Sequence, residues 1–415
     1  MLKSLIAGRL GVTGKLSLAN IFLVTNVFVW YYGIIAVLQK ITIVSTPDYS
    51  ATLLVWSTHF LGIILSALAG ASLTNKIGGR KRSFICWILL GAISTLFLLL
   101  IGSSGTLGVL LLSFLLGISL GFGMPNCIGY YSSSIPIENR GRLGGLTMLA
   151  SGIGIVVVGI MPIYGIILQS LILTIWRLSS LIVVFFIKPQ NESKENKIAS
   201  YRGIFSQRSF ILYFIPWLMF SLLAYLSTPI KSSFLNGFNA FGWPMGDFLA
   251  IIGNGLMAIF AVIGGFLLDY IGRKRVTIIG FVILGLGYSI LGIFPDSIIS
   301  WYFQTITDGI AWGFFFVIFI LTIWGDLSDN TASDKYYSIG VLPFFMAKFL
   351  QLTIGNFIIE IVPNYSSIFS FIAFFLFLAV LPLVYAPETL PEKHIKDREL
   401  KSYLEKAQKV REKYS

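Results

Sequence analysis

Two short segments of the chain place a polar residue, a glycine and a run of bases directly behind a long apolar stretch. The segment LLDYIGRKRV begins at residue 267, and a weaker copy, LTNKIGGRKR, begins 194 positions earlier with asparagine in place of the aspartate. A carboxylate can cap the N-terminus of a neighbouring helix, glycine permits a tight turn, and bases bind an anionic surface. This chemistry suits a gate. The gating residues predicted from the two segments are Asn75, Gly78, Arg80, Asp269, Gly272, Arg273 and Lys274.

Two charged residues, Asp308 and Lys348, lie deep inside apolar stretches, each about ten residues from an end. A charge at mid-bilayer costs at least about 2.5–3.5 kcal/mol, so each is a functional candidate. A buried carboxylate can carry a proton, and a buried ammonium can neutralise it or bind an anion. We predict that Asp308 and Lys348 act in proton coupling. The alternative is an ion pair that only fixes helix packing.

Amides and aromatic rings recur at helical spacing near these charges. Gln304, Asp308 and Trp312 share one helix face, and Lys348 shares another with Gln351. Such a mixture suits a neutral polyhydroxyl ligand, which stacks on rings and hydrogen-bonds to amides, although aromatic residues at these spacings also serve helix packing. The predicted substrate-binding residues are Asn26, Trp30, Tyr225, Asn254, Gln304, Trp312 and Gln351.

Residues for metal binding or enzymatic catalysis are sparse. The two cysteines, Cys86 and Cys127, fall inside apolar runs, and only two histidines occur in the chain. We interpret His59 as a buried histidine whose hydrogen bonds are satisfied, and Arg177 as a structural arginine that snorkels towards the membrane surface. We therefore predict no metal, no cofactor and no enzymatic activity. No ring of like charges or filter-like segment favours a channel.

The composition requires a membrane around these residues. Hydrophobic residues make up 56% of the 415, charged residues only 12%, and the mean hydropathy is +0.85. Stretches of about 20 apolar residues are long enough to cross a bilayer as helix. Twelve such stretches occur, near residues 20–39, 51–73, 84–102, 107–131, 143–164, 167–187, 209–230, 246–268, 276–294, 298–324, 338–359 and 366–386. The predicted fold class is an all-α polytopic membrane protein.

The distribution of charge predicts the topology. Basic residues gather in alternate loops, while the intervening loops carry few charges, Lys231 among them. By the positive-inside rule both termini lie in the cytosol, and the cell membrane is the expected location. The net charge of +12 therefore reflects contact with lipid headgroups, and no nucleic-acid partner is expected.

A long polar connection divides the chain into two similar halves. The predicted parts are a six-helix bundle at 1–187, a cytosolic linker at 188–208, a second six-helix bundle at 209–386 and a cytosolic tail at 387–415. The two basic segments follow the second span of each half, so the chain reads as an internal duplication.

Several motifs resemble those of the major facilitator superfamily. GFLLDYIGRKR at 265–275 is similar to that superfamily's loop signature, and ASLTNKIGGRKR at 71–82 matches it less well. PIENRGRLGG at 136–145 and PETLPEK at 387–393 resemble signatures of sugar porters, while TNVFVWYYG at 25–33 resembles a first-helix motif of metabolite:proton symporters without its two acids. The resemblance adds Glu138, Arg140 and Arg142 to the predicted gating residues. It also implies that the tenth and eleventh spans are neighbours, so that Asp308 and Lys348 can pair.

The resemblance implies the major facilitator fold, with two six-helix repeats that rock about a central site. The expected function is secondary active or facilitated transport of a small organic solute, a sugar or related metabolite, with proton coupling as a hypothesis. The alternative is a symporter or exchanger for carboxylates, with Lys348 as the anion contact. A non-transporting membrane receptor is a distant alternative. The expected partners are a small-molecule substrate, the proton and the lipid bilayer, and the expected state is a monomer.

Overall fold

The structure is a computed structural model that describes residues 14–45, 48–73, 78–103, 105–160, 165–186, 200–328, 332–361 and 365–391. Within these ranges nearly every residue is helical, apart from short turns and one hairpin, whose strands are β1 (Asn239–Ala240) and β2 (Trp243–Pro244). The predicted gating residue Asn75, most of the predicted linker and most of the predicted tail lie outside the described residues.

Twelve helices within the described ranges are long and apolar enough to cross a membrane, which confirms the predicted count. We number them α1 to α12. The first six are α1 Gly14–Ser45, α2 Tyr49–Leu73, α3 Arg80–Leu96, α4 Gly105–Gly121 continued by Met124–Ser134, α5 Arg140–Ile160, and α6 Gly165–Val184. The second six are α7 Arg208–Leu235, α8 Met245–Ile271, α9 Arg273–Ile293, α10 Ile298–Leu327, α11 Ser333–Gly340 continued by Leu342–Ile361, and α12 Tyr365–Leu378 continued by Val380–Tyr385.

The same helix pairs form in each half of the chain. In the first half α2 packs on α4, α1 on α5, and α3 on α6; in the second half α8 packs on α10, α7 on α11, and α9 on α12. Each pair of the second half is a pair of the first half moved on by six helices. This packing is expected of two repeats, while the domain boundaries themselves stay a prediction.

Close packing within each half depends on glycine. A Cβ added at Gly117 of α4 would lie 2.1 Å from the His59 carbonyl oxygen of α2, and one at Gly313 of α10 would lie 2.7 Å from the Met257 carbonyl oxygen of α8. Neither helix pair could approach this closely with a larger residue at the contact. Helices in lipid associate through such small residues because apolar side chains gain little by leaving lipid for protein.

The odd-numbered helices begin at one end of the bundle, which we call the basic end because Arg80, Arg140, Arg142, Arg273 and Lys274 lie there. The two halves meet closely at this end, where α5 packs along α8. A Cβ at Gly145 of α5 would lie 2.5 Å from the Ala261 carbonyl oxygen of α8. By the positive-inside rule the basic end is predicted to face the cytosol.

Labelling of single cysteines tests this topology. Ser206 lies at the basic end just after a short helix of the linker (Tyr201–Phe205), and Asp296 lies in the loop between α9 and α10; both residues are exposed. In a background without Cys86 and Cys127, Asp296→Cys should react with an impermeant maleimide in intact cells. Ser206→Cys should react only after the membrane is opened. Equal labelling of both positions in intact cells would contradict the topology.

Candidate functional site

A central cavity of about 570 Å³ lies between the two halves. Helices α1, α4 and α5 of the first half and α7, α8, α10 and α11 of the second half contribute its walls. Its lining extends to Gln39 of α1 and Gly246 of α8, both near the end opposite the basic end. Towards the basic end the lining stops at residues such as Met124 and Ala261. This volume falls in the range of small-molecule sites.

Asp308 of α10 forms an ion pair in this cavity with Lys231 of α7, with 3.7 Å between Oδ2 and Nζ. The predicted pairing of Asp308 with Lys348 is therefore wrong. The prediction failed because it ended the seventh span at residue 230 and so placed Lys231 in a loop. The structure continues α7 to Leu235, which carries Lys231 into the cavity wall.

Lys348 of α11 also lines the cavity, but it makes neutral contacts. Its Nζ donates to Gln351 Oε1 over 2.8 Å and lies 5.6 Å from the centre of the Tyr225 ring. Among the described residues no carboxylate lies within 4.0 Å of this ammonium group. The cavity therefore contains a positive charge without a counter-charge.

Aromatic rings form one wall of the cavity, and one of them, Tyr225, lies beside the Lys348 ammonium group. The Tyr225 ring lies edge-on to Phe344 at 5.4 Å and to Trp312 at 5.7 Å, measured between ring centres. Tyr31 of α1 meets Phe345 of α11 at 6.0 Å, so this contact joins the two halves. The wall offers flat apolar surfaces for a ring or a carbon chain.

A cluster of buried ions closes the basic end. Both oxygens of the Asp269 carboxylate accept backbone N–H groups at the start of α5, from Gly141 over 2.9 Å and from Arg142 over 2.8 Å. The carboxylate of one half thus caps a helix of the other half, at the end where the helix dipole favours negative charge. Asp269 also accepts from Arg273 of its own half over 2.9 Å.

Asp326, at the end of α10, is a centre of this cluster that sequence reasoning missed. Its Oδ1 accepts from Arg140 of the first half over 2.7 Å, and its Oδ2 accepts from Arg273 over 3.1 Å. The side chains of Asp326 and Arg273 are fully buried. The signal was present in the sequence as an acid just beyond the tenth apolar stretch, but hydropathy alone ended that span at residue 324.

The segment that resembles the sugar-porter ending also joins this cluster. Glu388 accepts from the backbone N–H groups of Arg273 over 2.8 Å and Lys274 over 3.1 Å, so it caps the start of α9. Gly272 lies directly before these donors with φ of 104°, and a Cβ there would lie 2.4 Å from a Glu388 oxygen. The loop therefore requires glycine for its backbone and for the cap.

The weaker basic segment contributes one contact between the halves. Arg80 of α3 donates to both oxygens of Asp334 on α11 over 3.2 Å. Gly78 has φ of 91°, which favours glycine. Glu138 forms no ion pair within the described chain, so its predicted gating role gains no support from the geometry.

Polar contacts between the halves concentrate at the basic end. They comprise the Asp269 cap, the pair of Arg140 with Asp326, the pair of Arg80 with Asp334, and a bond from Arg273 to the Ile137 carbonyl oxygen. At the opposite end one such contact is described, from the Tyr49 hydroxyl to the Thr353 carbonyl oxygen. The basic end is therefore the closed end in this structure.

Comparison with known proteins decides the fold. No family model matches the sequence, and no curated protein matches it. Solved structures do match: a proton:xylose symporter, XylE, bound to 6-bromo-6-deoxy-D-glucose has a TM-score of 0.67 at 15% identity over 90% of this chain and 96% of that chain. This chain has the major facilitator fold.

Two further solved structures also match this chain. A variant of the Escherichia coli fucose:proton symporter FucP has a TM-score of 0.71 at 12% identity, over 89% of this chain and 98% of that chain. The human organic anion transporter MFSD10 has a TM-score of 0.66 at 12% identity, over 89% and 99% of the two chains.

Within the major facilitator fold, four of the predicted substrate-binding residues line the cavity. They are Tyr225, Asn254, Gln304 and Trp312. Gln351 is not part of the lining, but it binds the Lys348 ammonium group. Lys231 and Tyr31 are lining residues that the sequence argument did not propose.

Asn26 and Trp30 do not line the cavity, so their predicted role in substrate binding gains no support from this structure. The Asn26 side chain accepts from Arg177 over 3.1 Å and from Ser180 over 2.9 Å, both on α6. The Trp30 ring nitrogen donates to Thr95 of α3 over 2.9 Å. Helical spacing placed the two residues on one face of α1 correctly, but that face packs against α3 and α6.

Arg177 is a structural residue that does not snorkel. It is fully buried, and its guanidinium lies 4.1 Å from the centre of the Trp87 ring and 5.0 Å from that of Trp30. Cation–π contacts and the bond to Asn26 therefore replace the expected contact with the membrane surface. The prediction of snorkelling was wrong because the rings that enclose the guanidinium come from α1 and α3.

His59 is hydrogen-bonded on both ring nitrogens. Nδ1 lies 2.9 Å from the Ser113 carbonyl oxygen of α4, and Nε2 lies 3.4 Å from the Tyr31 hydroxyl of α1. This agrees with the interpretation of a satisfied buried histidine.

Proposed function

We propose that this protein is a secondary transporter that moves a small organic solute across the membrane by alternating access. The observation that carries the proposal is a central cavity between two six-helix halves, closed at the basic end by ion pairs and caps that join the halves. Transport requires that the closed end open and the other end close. Polar contacts concentrated at one end are the kind that such a motion can break and reform.

The ion cluster would set the balance between the two states. Opening the basic end separates Asp269 from the start of α5, and Arg140 from Asp326. The separated charges then meet water, which replaces part of the lost interaction. We propose that this exchange makes the two states close enough in free energy for transport.

The residues of the cavity support two classes of solute, sugars and carboxylates. A sugar is supported by the amides and aromatic rings of the cavity, and two proteins of similar fold are described as sugar:proton symporters. A carboxylate is supported by the Lys348 ammonium group, which has no acidic partner among the described residues. In this proposal Asp308 and Lys231 carry proton coupling, since Lys348 is not the partner of Asp308.

The location and orientation of the protein follow from the predicted topology. We propose that the protein works as a monomer in the cell membrane with the basic end in the cytosol. We propose no enzymatic activity, no cofactor and no nucleic-acid partner. Failure of exchange with every solute would favour the distant alternative, a receptor that binds without transporting.

Counterflow in proteoliposomes tests the proposal with a variant that cannot close the basic end. Gly145→Val would push a side chain against the Ala261 backbone of the other half, where even a Cβ lies 2.5 Å from the carbonyl oxygen. A clash of about 1–3 kcal/mol should slow exchange about 5- to 150-fold.

Gly159→Val is the matched control because Gly159 lies on the same helix with nothing within 4 Å of an added Cβ. The control should exchange like the wild type. Equal rates for the two variants would show that closure at the basic end is not part of the cycle.

A further inference from the structure

The charged residues of the cavity leave one positive charge without compensation. Among its described lining residues only Lys231, Asp308 and Lys348 are charged. Asp308 pairs with Lys231, whereas the contacts of the Lys348 ammonium group among the described residues are an amide oxygen and a ring. A partly buried ammonium without a counter-charge is unfavourable. An anionic group of a ligand would remove that cost through a charge-assisted hydrogen bond.

Two further polar atoms of the cavity residues have no hydrogen-bond partner among the described residues. They are Nε2 of Gln304, a donor, and Oδ1 of Asp308, an acceptor; both atoms are buried, so a ligand reaches them only when the ends of the two side chains rotate towards the cavity. The two residues are one helical turn apart on α10 and both line the cavity. A hydroxyl group can accept from the amide and donate to the carboxylate at the same time.

The remaining surface suits a ring or a short carbon chain. The Tyr225 ring lies beside the Lys348 ammonium group, and Trp312 and Phe344 pack against Tyr225. A cavity of about 570 Å³ accommodates a molecule of the size of a monosaccharide.

We infer that the ligand of this cavity is a hydroxylated monocarboxylate, such as a sugar acid or a small hydroxy acid. Its carboxylate binds Lys348, and one hydroxyl bridges Gln304 and Asp308. The inference rests on the proposed function and refines it. A neutral sugar would leave the Lys348 charge uncompensated. An acid without hydroxyl groups would leave the Gln304 donor and the Asp308 acceptor unpaired.

Thermal-shift measurements on the purified full-length protein test the ligand class with matched pairs. The acids are D-glucuronate, D-gluconate and L-lactate, and their neutral partners are D-glucose, D-sorbitol and L-lactamide. Butyrate and benzoate serve as acids without hydroxyl groups. At least one hydroxy acid should raise the melting temperature, and it should bind about 10- to 100-fold more tightly than its neutral partner. The hydroxyl-free acids should bind more weakly than that hydroxy acid.

Three variants and one control assign the contacts. Lys348→Gln should remove the preference for the acid over its neutral partner, and Lys348→Arg should keep it. Gln304→Met should weaken binding of the hydroxy acid but leave binding of butyrate and benzoate unchanged. Lys15→Gln, at an exposed position outside the cavity, is the matched control for loss of one positive charge. Lys348→Gln without ligand should melt no lower than the wild type, because it removes a charge that has no counter-charge.

The outcomes separate this inference from the proposed function. Stabilisation by none of the hydroxy acids, equal binding of the neutral partners, or an unchanged acid preference in Lys348→Gln would each overturn the ligand class. Counterflow of the same compounds is measured in parallel. Lys348-dependent binding without exchange would retain the ligand class and remove transport. Exchange of glucose by Lys348→Gln at the wild-type rate would retain transport and remove the ligand class.

Discussion

Asp326→Asn is expected to open the basic end and to lower the stability of the protein. The substitution keeps the shape of the side chain but removes the carboxylate that binds both Arg140 of the first half and Arg273 of the second. Removing one partner of a buried ion pair costs about 3–5 kcal/mol. Part of this loss should appear as a lower melting temperature. The rest should appear as a shift towards the state in which the arginines meet water.

A cysteine at Ser132 reports that shift. Ser132 is fully buried, and its side chain lies against Gly325 of the other half, where a Cβ added to the glycine would be 2.4 Å from it. In the background without Cys86 and Cys127, Ser132→Cys should react with a soluble maleimide at least about tenfold faster when Asp326→Asn is present. Asp296→Asn, an exposed acid at the opposite end, should leave the rate unchanged. Equal rates in the two variants would show that Asp326 does not hold the basic end closed.

Lys231→Met should impair exchange more than the double change Lys231→Met/Asp308→Asn. The single change leaves the Asp308 carboxylate in the cavity wall without the ammonium group that now lies 3.7 Å away. The double change removes both charges. Both side chains are partly exposed, so the difference should be smaller than for a fully buried pair, about 1–3 kcal/mol. Counterflow rates and melting temperatures of the single and double variants form the cycle that measures it.

The change Asp308→Asn separates a proton-coupling role from a structural one. If Asp308 carries the proton, Asp308→Asn should abolish accumulation driven by a pH gradient but retain counterflow at equal pH, at a lower rate because Lys231 loses its partner. Asparagine keeps an acceptor oxygen for a ligand hydroxyl, so binding should persist. Accumulation against a gradient by Asp308→Asn at the wild-type level would make the pair structural and favour a facilitator.

The parts that the sequence predicted well depend on local composition. Hydropathy summed over about 20 residues identified twelve spans because crossing a bilayer depends on the average of a segment and tolerates single exceptions. Asp269 was expected to cap a neighbouring helix, and the structure shows its carboxylate on the backbone of Gly141 and Arg142. That expectation needed only the residue type and its place at the end of a span. The gating role itself stays a prediction.

The candidate site was predicted less completely because it depends on helix ends and on helix rotation. Ending the seventh span five residues early removed Lys231 from consideration and left Lys348 as the apparent partner of Asp308. Asn26 and Trp30 were assigned to the wrong side of α1, since spacing shows which residues share a face but not what that face meets.

The sequence by itself determined that the chain spans a membrane twelve times, that its halves repeat, and that Asp308 and Lys348 lie within spans. Only the tertiary structure decided which further charges are buried and which charges meet. One reason lies in α10, where the turns from Phe316 to Thr322 are π-helical, with the Thr322 hydroxyl donating to the Val317 carbonyl oxygen five residues back. The wider turns change the rotation of Asp326 relative to Asp308, so the first joins the ion cluster and the second faces the cavity. Hydropathy adds along the chain and is read locally, whereas an ion pair depends on the rotation and depth of two helices at once.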